Sequence, residues 1–348
     1  MLRYLLYPFA ALYGLAVWIR NRLFDLQILK SASFDAHVIC VGNITVGGTG
    51  KTPHVEYLIR LLSPFFQTAM LSRGYRRKTR GFRLVVSNST ALEAGDEPVQ
   101  VKRKYPSVTV AVDANRARGI SNLTAKIPNL RVVLLDDAFQ HRYVKPGLSI
   151  LLTDYNRLFT RDHYLPMGRL RDCPAEKKRA DIVVVTKCPH DISIDEQVAI
   201  TRELALGPEQ PVYFTTFEYG SQYPVFSDYK NTLSLSKDTY TIALAGIANP
   251  SGFFEYVAAQ TTMVEAIAFP DHHAYTVREI KAIFERLSKV DAPTKAIITT
   301  EKDAVRLSDL PLHVDIQSAL YFVSIDVVFV DGKSVEFNKQ ILKYARKN

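Results

Sequence analysis

Short apolar runs recur along the first part of the chain, at His37 to Val41, Thr68 to Leu71, Val108 to Val112, Leu130 to Leu135, Leu148 to Leu152 and Asp181 to Val185. They lack the apolar–polar alternation of half-exposed strands, so they predict strands buried on both faces. Their alternation with helical stretches predicts a doubly wound α/β layer around a parallel sheet. From about Pro211 the texture changes. An aromatic β-type stretch (Val212 to Tyr219) leads into strand Thr239 to Ala245, helix Pro250 to Ala259, strand Val264 to Phe269 and helix Thr276 to Ser288. The expected division is an N-terminal helix over 1–25, a first lobe over 26–210 and a smaller α/β lobe over 211–348, whose C-terminal part can pack back on the first.

The N-terminal pattern differs. Tyr4 to Ile19 is almost unbroken apolar, with Arg3 before it and Arg20 and Arg22 after it. As a helix at ~1.5 Å per residue it would run about 24 Å, short of a ~30 Å hydrocarbon core. Aromatic residues near its ends (Tyr4, Tyr7, Tyr13, Trp18) and the flanking arginines suit a membrane interface. No small-x-small cleavage site follows, which weighs against a secretory signal. The reading favoured is an uncleaved anchor that lies shallow or marginally spans; the alternative is a first helix buried against the domain.

Composition narrows the class. With 348 residues, 47% of them hydrophobic, the chain can bury a sizeable core. A net charge of +9 favours an acidic partner: nucleic acid, anionic lipid or a phosphorylated substrate. The basic residues are dispersed, and neither an RNA-binding aromatic signature nor a zinc-finger spacing is present, so nucleic acid ranks last. Cys40, Cys173 and Cys188 are too few and too scattered for a disulfide framework or a Cys/His zinc site.

Chemistry concentrates where the first buried strand ends. Val41-Gly42-Asn43-Ile44-Thr45-Val46-Gly47-Gly48-Thr49-Gly50-Lys51-Thr52 joins that strand to a helix through glycines ending in Gly-Lys-Thr. Glycines at 47, 48 and 50 permit positive φ, so that backbone N–H groups can turn inward around phosphate oxygens. Lys51 is placed to reach the β- and γ-phosphates, Thr52 to offer a hydroxyl to Mg²⁺, and the helix to point its positive end at the same anion. Pro53 is tolerated in a first turn. Thr45 stands where G-x-x-x-x-G-K-[ST] has its first glycine. The expected nucleotide cradle is therefore Thr45, Val46, Gly47, Gly48, Thr49, Gly50, Lys51 and Thr52.

Asp136-Asp137 caps the strand ending at Leu135, in the manner of a Walker B carboxylate beside a bound Mg²⁺. Adjacent carboxylates repel unless a cation or hydrogen bonds compensate, which supports a metal there. Gly95-Asp96-Glu97-Pro98 reads as an acidic turn clear of regular structure. Ser72-Arg73-Gly74-Tyr75-Arg76-Arg77-Lys78 reads as a cationic loop, facing phosphate, headgroups or only solvent. Leu165 to Asp172 offers two arginines and a carboxylate, and Asp271-His272-His273 sits at a strand end, where either histidine can be catalytic or structural. Thr186-Lys187-Cys188-Pro189 has proline in place of the carboxylate of a guanine-reading T-K-x-D, which argues against GTP.

Taken together, Val41 through Pro53, Ser72-Arg73-Gly74-Tyr75, Gly95 to Pro98, Asp136-Asp137-Ala138-Phe139-Gln140-His141, Phe269-Pro270-Asp271-His272 and Thr300-Glu301-Lys302-Asp303-Ala304-Val305 resemble the tetraacyldisaccharide 4'-kinase (lipid A 4'-kinase) family of Gram-negative bacteria. The resemblance implies a P-loop NTPase-like kinase domain over 26–210. It implies transfer of the ATP γ-phosphoryl group, with Mg²⁺, to the 4'-hydroxyl of a tetraacyldisaccharide 1-phosphate, giving lipid IVA. By the same resemblance Asp96 is the general base, His272 the histidine coupled to it, Lys51 a phosphate-binding catalytic group, and Thr52, Asp136, Asp137 and Asp172 the metal side. Asp172 replaces the family's usual glutamate, and Ala138 a common glycine. The implied setting is the cytoplasmic face of the inner membrane, with no obligate protein partner. The rival readings are a nucleotide-driven switch or metallochaperone GTPase, and a soluble small-molecule kinase.

Overall fold

The computed structural model describes residues 5–226 and 233–347. Arg3 and Tyr4 of the N-terminal run, residues 227–232 and the final residue lie outside the described residues. In chain order the elements are α1 (Tyr7–Asp25), β1 (His37–Gly42), α2 (Lys51–Leu62), β2 (Thr68–Ser72), β3 (Arg83–Val85), α3 (Ala91–Ala94), α4 (Asp96–Lys104), β4 (Thr109–Val112), α5 (Arg116–Lys126), β5 (Val132–Asp136), β6 (Leu148–Asp154), β7 (Ile182–Thr186) and α6 (Ile194–Leu204). There follow β8 (Val212–Pro224), β9 (Thr239–Ala245), α7 (Ser251–Gln260), β10 (Thr262–Ala268), α8 (Val277–Ser288), β11 (Thr294–Thr300), α9 (Glu301–Leu307), α10 (Val314–Ser318), β12 (Leu320–Phe329) and α11 (Ser334–Ala345).

The strands form one 12-stranded sheet in the order β10-β9-β11-β12-β8-β7-β6-β1-β5-β2-β4-β3. Pairing is parallel except at β3/β4 and β8/β12. Period-two alternation along β1 divides the first core. Val38 and Cys40 pack with Ile120 and Leu123 of α5 and Ile200 and Leu204 of α6. Ile39 and Val41 face the other way, onto Val55, Leu58 and Ile59 of α2 and Val99 of α4. That same cluster contains Phe337, Ile341 and Ala345, so α11 at the chain's end lies against the first lobe.

Strand β8 belongs to both halves. Its start (Val212 to Phe214) pairs with β7 and its remainder with β12. In the second half, Ile280, Ile283 and Leu287 form the buried stripe of α8 beneath Ile242, Leu244 and Ile297. A capping box of Thr276 and Glu279 sets where that helix starts.

Helix α1 has two unlike faces. Ala10, Gly14, Asn21 and Phe24 are buried, and a Cβ on Gly14 would press into the ring of Tyr164. Phe9, Leu12, Leu15, Trp18 and Ile19 are exposed, each over 45% or more of its surface. Among the described residues no helix is long and apolar enough to cross a membrane.

Candidate active site

The site lies outside the carboxyl end of β1, where the chain leaves between β5 and β6 on opposite sides, the crevice in which open α/β sheets bind ligands. Gly47 and Gly50 have φ of +113° and +81°. Gly48 does not need positive φ, which corrects the sequence expectation for that position. The cradle is braced from outside the motif. Asn43, fully buried, donates from Nδ2 to Thr49 Oγ1 at 2.7 Å, and the Val46 N–H bonds to the Arg169 carbonyl at 2.7 Å. Lys51 and Thr52 open α2, and Lys51 Nζ lies 3.8 Å from Asp137.

Asp136 ends β5, is 1% exposed, and its Oδ1 has no hydrogen-bond partner. Burial, and then the charges of Glu97 and Asp137, push its carboxyl up to about 7. Asp137 is its opposite. Desolvation acts upward on it too, but Lys51 and Arg171 outweigh that and hold it at about 2. Arg171 grips both its oxygens, one of them at 3.1 Å. The left-handed conformation in this turn falls on Asp137, at φ +49°, so alanine at 138 carries no backbone penalty.

Asp172 is fully buried and its oxygens are already engaged. Asn21 Nδ2 of α1 donates to Oδ1 at 2.6 Å, the Cys173 N–H to the same atom at 2.9 Å, and Arg179 to Oδ2 at 3.3 Å. The structure therefore ties this carboxylate to α1, while its neighbour Arg171 turns to Asp137.

Contrary to the expectation of a free turn, Asp96 to Pro98 form the first turn of α4, which Gly95 precedes as its cap. Gly95, at φ +91°, and Gly74 back onto each other's loops, and a Cβ on either would meet backbone there. The Ser72–Tyr75 and Gly95–Pro98 motifs are thus two sides of one close approach. Across the cleft, His272 Nδ1 lies 2.8 Å from Asp96 Oδ2, and Lys302 Nζ 3.1 Å from His272 Nε2. An ammonium only donates, so Nε2 accepts and the proton on Nδ1 points to Asp96. Burial pushes Asp96 up, but the His272 bond and the charges of Lys302 and Arg306 prevail and hold it at about 2. His273 turns away, stacking on Phe269 at 4.4 Å and meeting Glu279 at 3.1 Å.

Sequence reasoning had given no role to Glu97, Asn43, Lys302 or Arg306, although all but Arg306 sit inside the quoted motifs. Lys302 also faces Glu97 and Asp271, each at 3.5 Å, while Arg306 approaches Asp96 at 3.8 Å. Among the described residues no group of three or more His, Cys, Asp or Glu is placed to hold a metal ion.

A glycine-rich loop and an aspartate-capped strand at the carboxyl ends of the central strands, with Asp96 of α4 meeting His272 of the loop after β10, define a P-loop phosphotransferase. The chain belongs to the tetraacyldisaccharide-1-P 4'-kinase family, whose pattern matches residues 2–346. It is 48% identical to the tetraacyldisaccharide 4'-kinase of Bacteroides thetaiotaomicron, over 99% of this chain and 93% of that one. With the Flavobacterium johnsoniae enzyme of the same description it shares 47%, over 100% and 98%. Among solved structures it resembles LpxK from Aquifex aeolicus in complex with ATP, with a TM-score of 0.76, 28% identity and 99% of both chains covered.

Proposed function

We propose that this protein transfers the γ-phosphoryl group of ATP to the 4'-hydroxyl of tetraacyldisaccharide 1-phosphate, forming lipid IVA in lipid A biosynthesis. The observation that carries the mechanism is the 2.8 Å contact between Asp96 and His272 across the cleft above the phosphate loop. The end of the phosphate loop and the first turn of α2, with Lys51, hold the triphosphate, while the Val46 N–H stays on the Arg169 carbonyl. Asp96 takes the proton of the acceptor hydroxyl as its oxygen bonds to the γ-phosphorus and the bond to the β-phosphate oxygen breaks, releasing ADP. His272 orients that carboxylate and shares its charge. Phosphoryl transfer depends mainly on positioning and charge neutralisation, so Lys51 and the surrounding arginines contribute more than the base.

A divalent cation fits the site because the buried Oδ1 of Asp136 has no partner in the protein and is free to coordinate one. Thr52, Asp136 and Asp137 would hold Mg²⁺, which neutralises charge on the β- and γ-phosphates when bound. Asp172, whose oxygens meet Asn21, the Cys173 N–H and Arg179, also anchors the arginine loop to α1. The exposed apolar face of α1 rests on the cytoplasmic surface of the inner membrane, so that a four-chain acceptor need not leave the bilayer.

Incubation of the purified protein with γ-labelled ATP, magnesium and the lipid disaccharide tests the reading. Label is expected in the lipid; label recovered only as inorganic phosphate, independent of added lipid, would overturn it.

A further inference from the structure

Three helices begin at the site: α2 with Lys51, α4 with Asp96 and α9 with Glu301 beside Lys302. One ammonium joins them. Lys104 Nζ, at the far end of α4, lies 2.6 Å from Glu56 Oε2 of α2 and 2.9 Å from Glu301 Oε1 of α9. One turn earlier on α4, Gln100 donates to the other oxygen of Glu56 at 2.8 Å. Glu56 is 1% and Glu301 8% exposed. Around them Arg60 of α2 donates to the Tyr105 hydroxyl at 3.1 Å and pairs with Asp326 of β12 at 2.8 Å.

Stability does not explain such a cluster. Two buried carboxylates on one cation incur desolvation at every member, and apolar side chains of similar volume commonly serve a core as well or better. Burial and the charge of Glu301 push Glu56 up to about 7, as expected of a carboxylate crowded by another. What an apolar trio would not supply is register, since hydrogen-bonded charges fix both distance and angle. The three elements held here carry the phosphate grip, the base, and the lysine that contacts His272. Other contacts join α4 to α9, including Arg103 to the Val305 carbonyl at 3.5 Å, and Arg103 also pairs with Asp309 just beyond α9 at 3.1 Å, so the helices stay docked without Lys104 and only their register is at stake.

We propose that Lys104, clasped by Glu56 and Glu301, is a positioning residue for phosphoryl transfer, setting α4 against α2 and α9 so that Asp96 and its partner His272 are registered on the γ-phosphate. It touches no substrate; it acts through Asp96. The proposal rests on the assignment of Asp96 as base.

The test is a kinetic double-mutant cycle with the full-length protein, ATP and the lipid acceptor, comparing wild type, E301Q, D96A and the double variant. Misplacement by about 1 Å can cost on the order of 100-fold. E301Q should therefore lower kcat by roughly 10- to 100-fold with the KM for ATP changed less than about twofold. In the D96A background the same substitution should cost less than about threefold, because the group it positions is gone. K104R, which keeps the charge, should retain more activity than K104M. Equal losses in both backgrounds, or wild-type kcat in E301Q, would overturn the proposal. Unchanged turnover in D96A alone would instead remove the base assignment, a separate failure. Should E301Q fold poorly, K104M takes its place in the cycle, with the same additivity criterion.

Discussion

Asp96 and His272, 176 residues apart in the chain, meet at 2.8 Å with Lys302 closing the far side of the imidazole at 3.1 Å. The pair joins the first turn of α4 to the loop after β10, so neither lobe holds it alone. Removing the carboxylate should leave the phosphate loop intact. D96A is expected to lower kcat by about 10²- to 10⁴-fold, the usual contribution of a general base, with ATP affinity within about twofold of wild type. Steady-state kinetics together with calorimetric ATP titration check this; normal turnover would refute the assignment.

Asp136 governs a pH dependence with a definite sign. Its folded-state value of about 7 lies above an ordinary carboxyl, so the native state binds the proton more tightly and loses stability as pH rises from about 4 through 7. Asp96 and Asp137, both at about 2, act in the opposite sense only in more acid solution, where their contribution is lost as pH falls below about 4. D136N should therefore raise the thermal midpoint of the nucleotide-free protein at pH 8 by a few degrees and change it little at pH 5. Melting curves at the two pH values decide; an equal shift at both would count against the protonated, buried carboxyl.

Gly50 is confined twice. Its φ of +81° disfavours any side chain, and a Cβ would overlap the ring of Phe217 from β8. G50A should cost about 1–3 kcal/mol of stability and weaken ATP binding by roughly tenfold or more. Urea unfolding and nucleotide titration measure the two effects. Stability and affinity both at wild-type level would mean that the loop relaxes freely.

Deleting α1 would be an unclean test of membrane binding, because its other face holds Asn21 against Asp172 and Gly14 against Tyr164. Substitutions on the exposed face avoid this. Phe9→Asp and Leu12→Asp each remove an apolar side chain worth about 1.5–3 kcal/mol of transfer, so each should lower partition into phospholipid vesicles by about tenfold or more. Flotation at fixed lipid concentration provides the readout. Unchanged partition would return α1 to the role of a packing helix.

Much of the site could be read from residue order. The phosphate loop and Asp136 belong to a local grammar, strand then turn then helix, and buried strands announce themselves by unbroken apolar runs. Asp96 was misread as a free turn because Gly-Asp-Glu-Pro has turn composition. Its glycine in fact serves the close approach to Gly74, and its proline falls in a first turn, where no helical bond is lost. Lys302 and Arg306 lay in a motif or just past it with nothing local to say what they face. The two halves of Asp136-Asp137 look alike in sequence and titrate in opposite directions, because burial dominates the first, whose Oδ1 has no partner, while the second meets Lys51 and Arg171.

The sequence by itself determined the class of chemistry: a glycine loop ending in Gly-Lys-Thr, an aspartate-capped strand and an apolar leader are local patterns, governed by backbone freedom and periodicity. Tertiary structure decided which of two adjacent histidines meets Asp96, that Asp172 is bound to α1, and that Lys104 clasps carboxylates from two other helices. Those outcomes depend on distances between segments far apart in the chain, set by sheet order and helix packing, and no spacing along a chain encodes them.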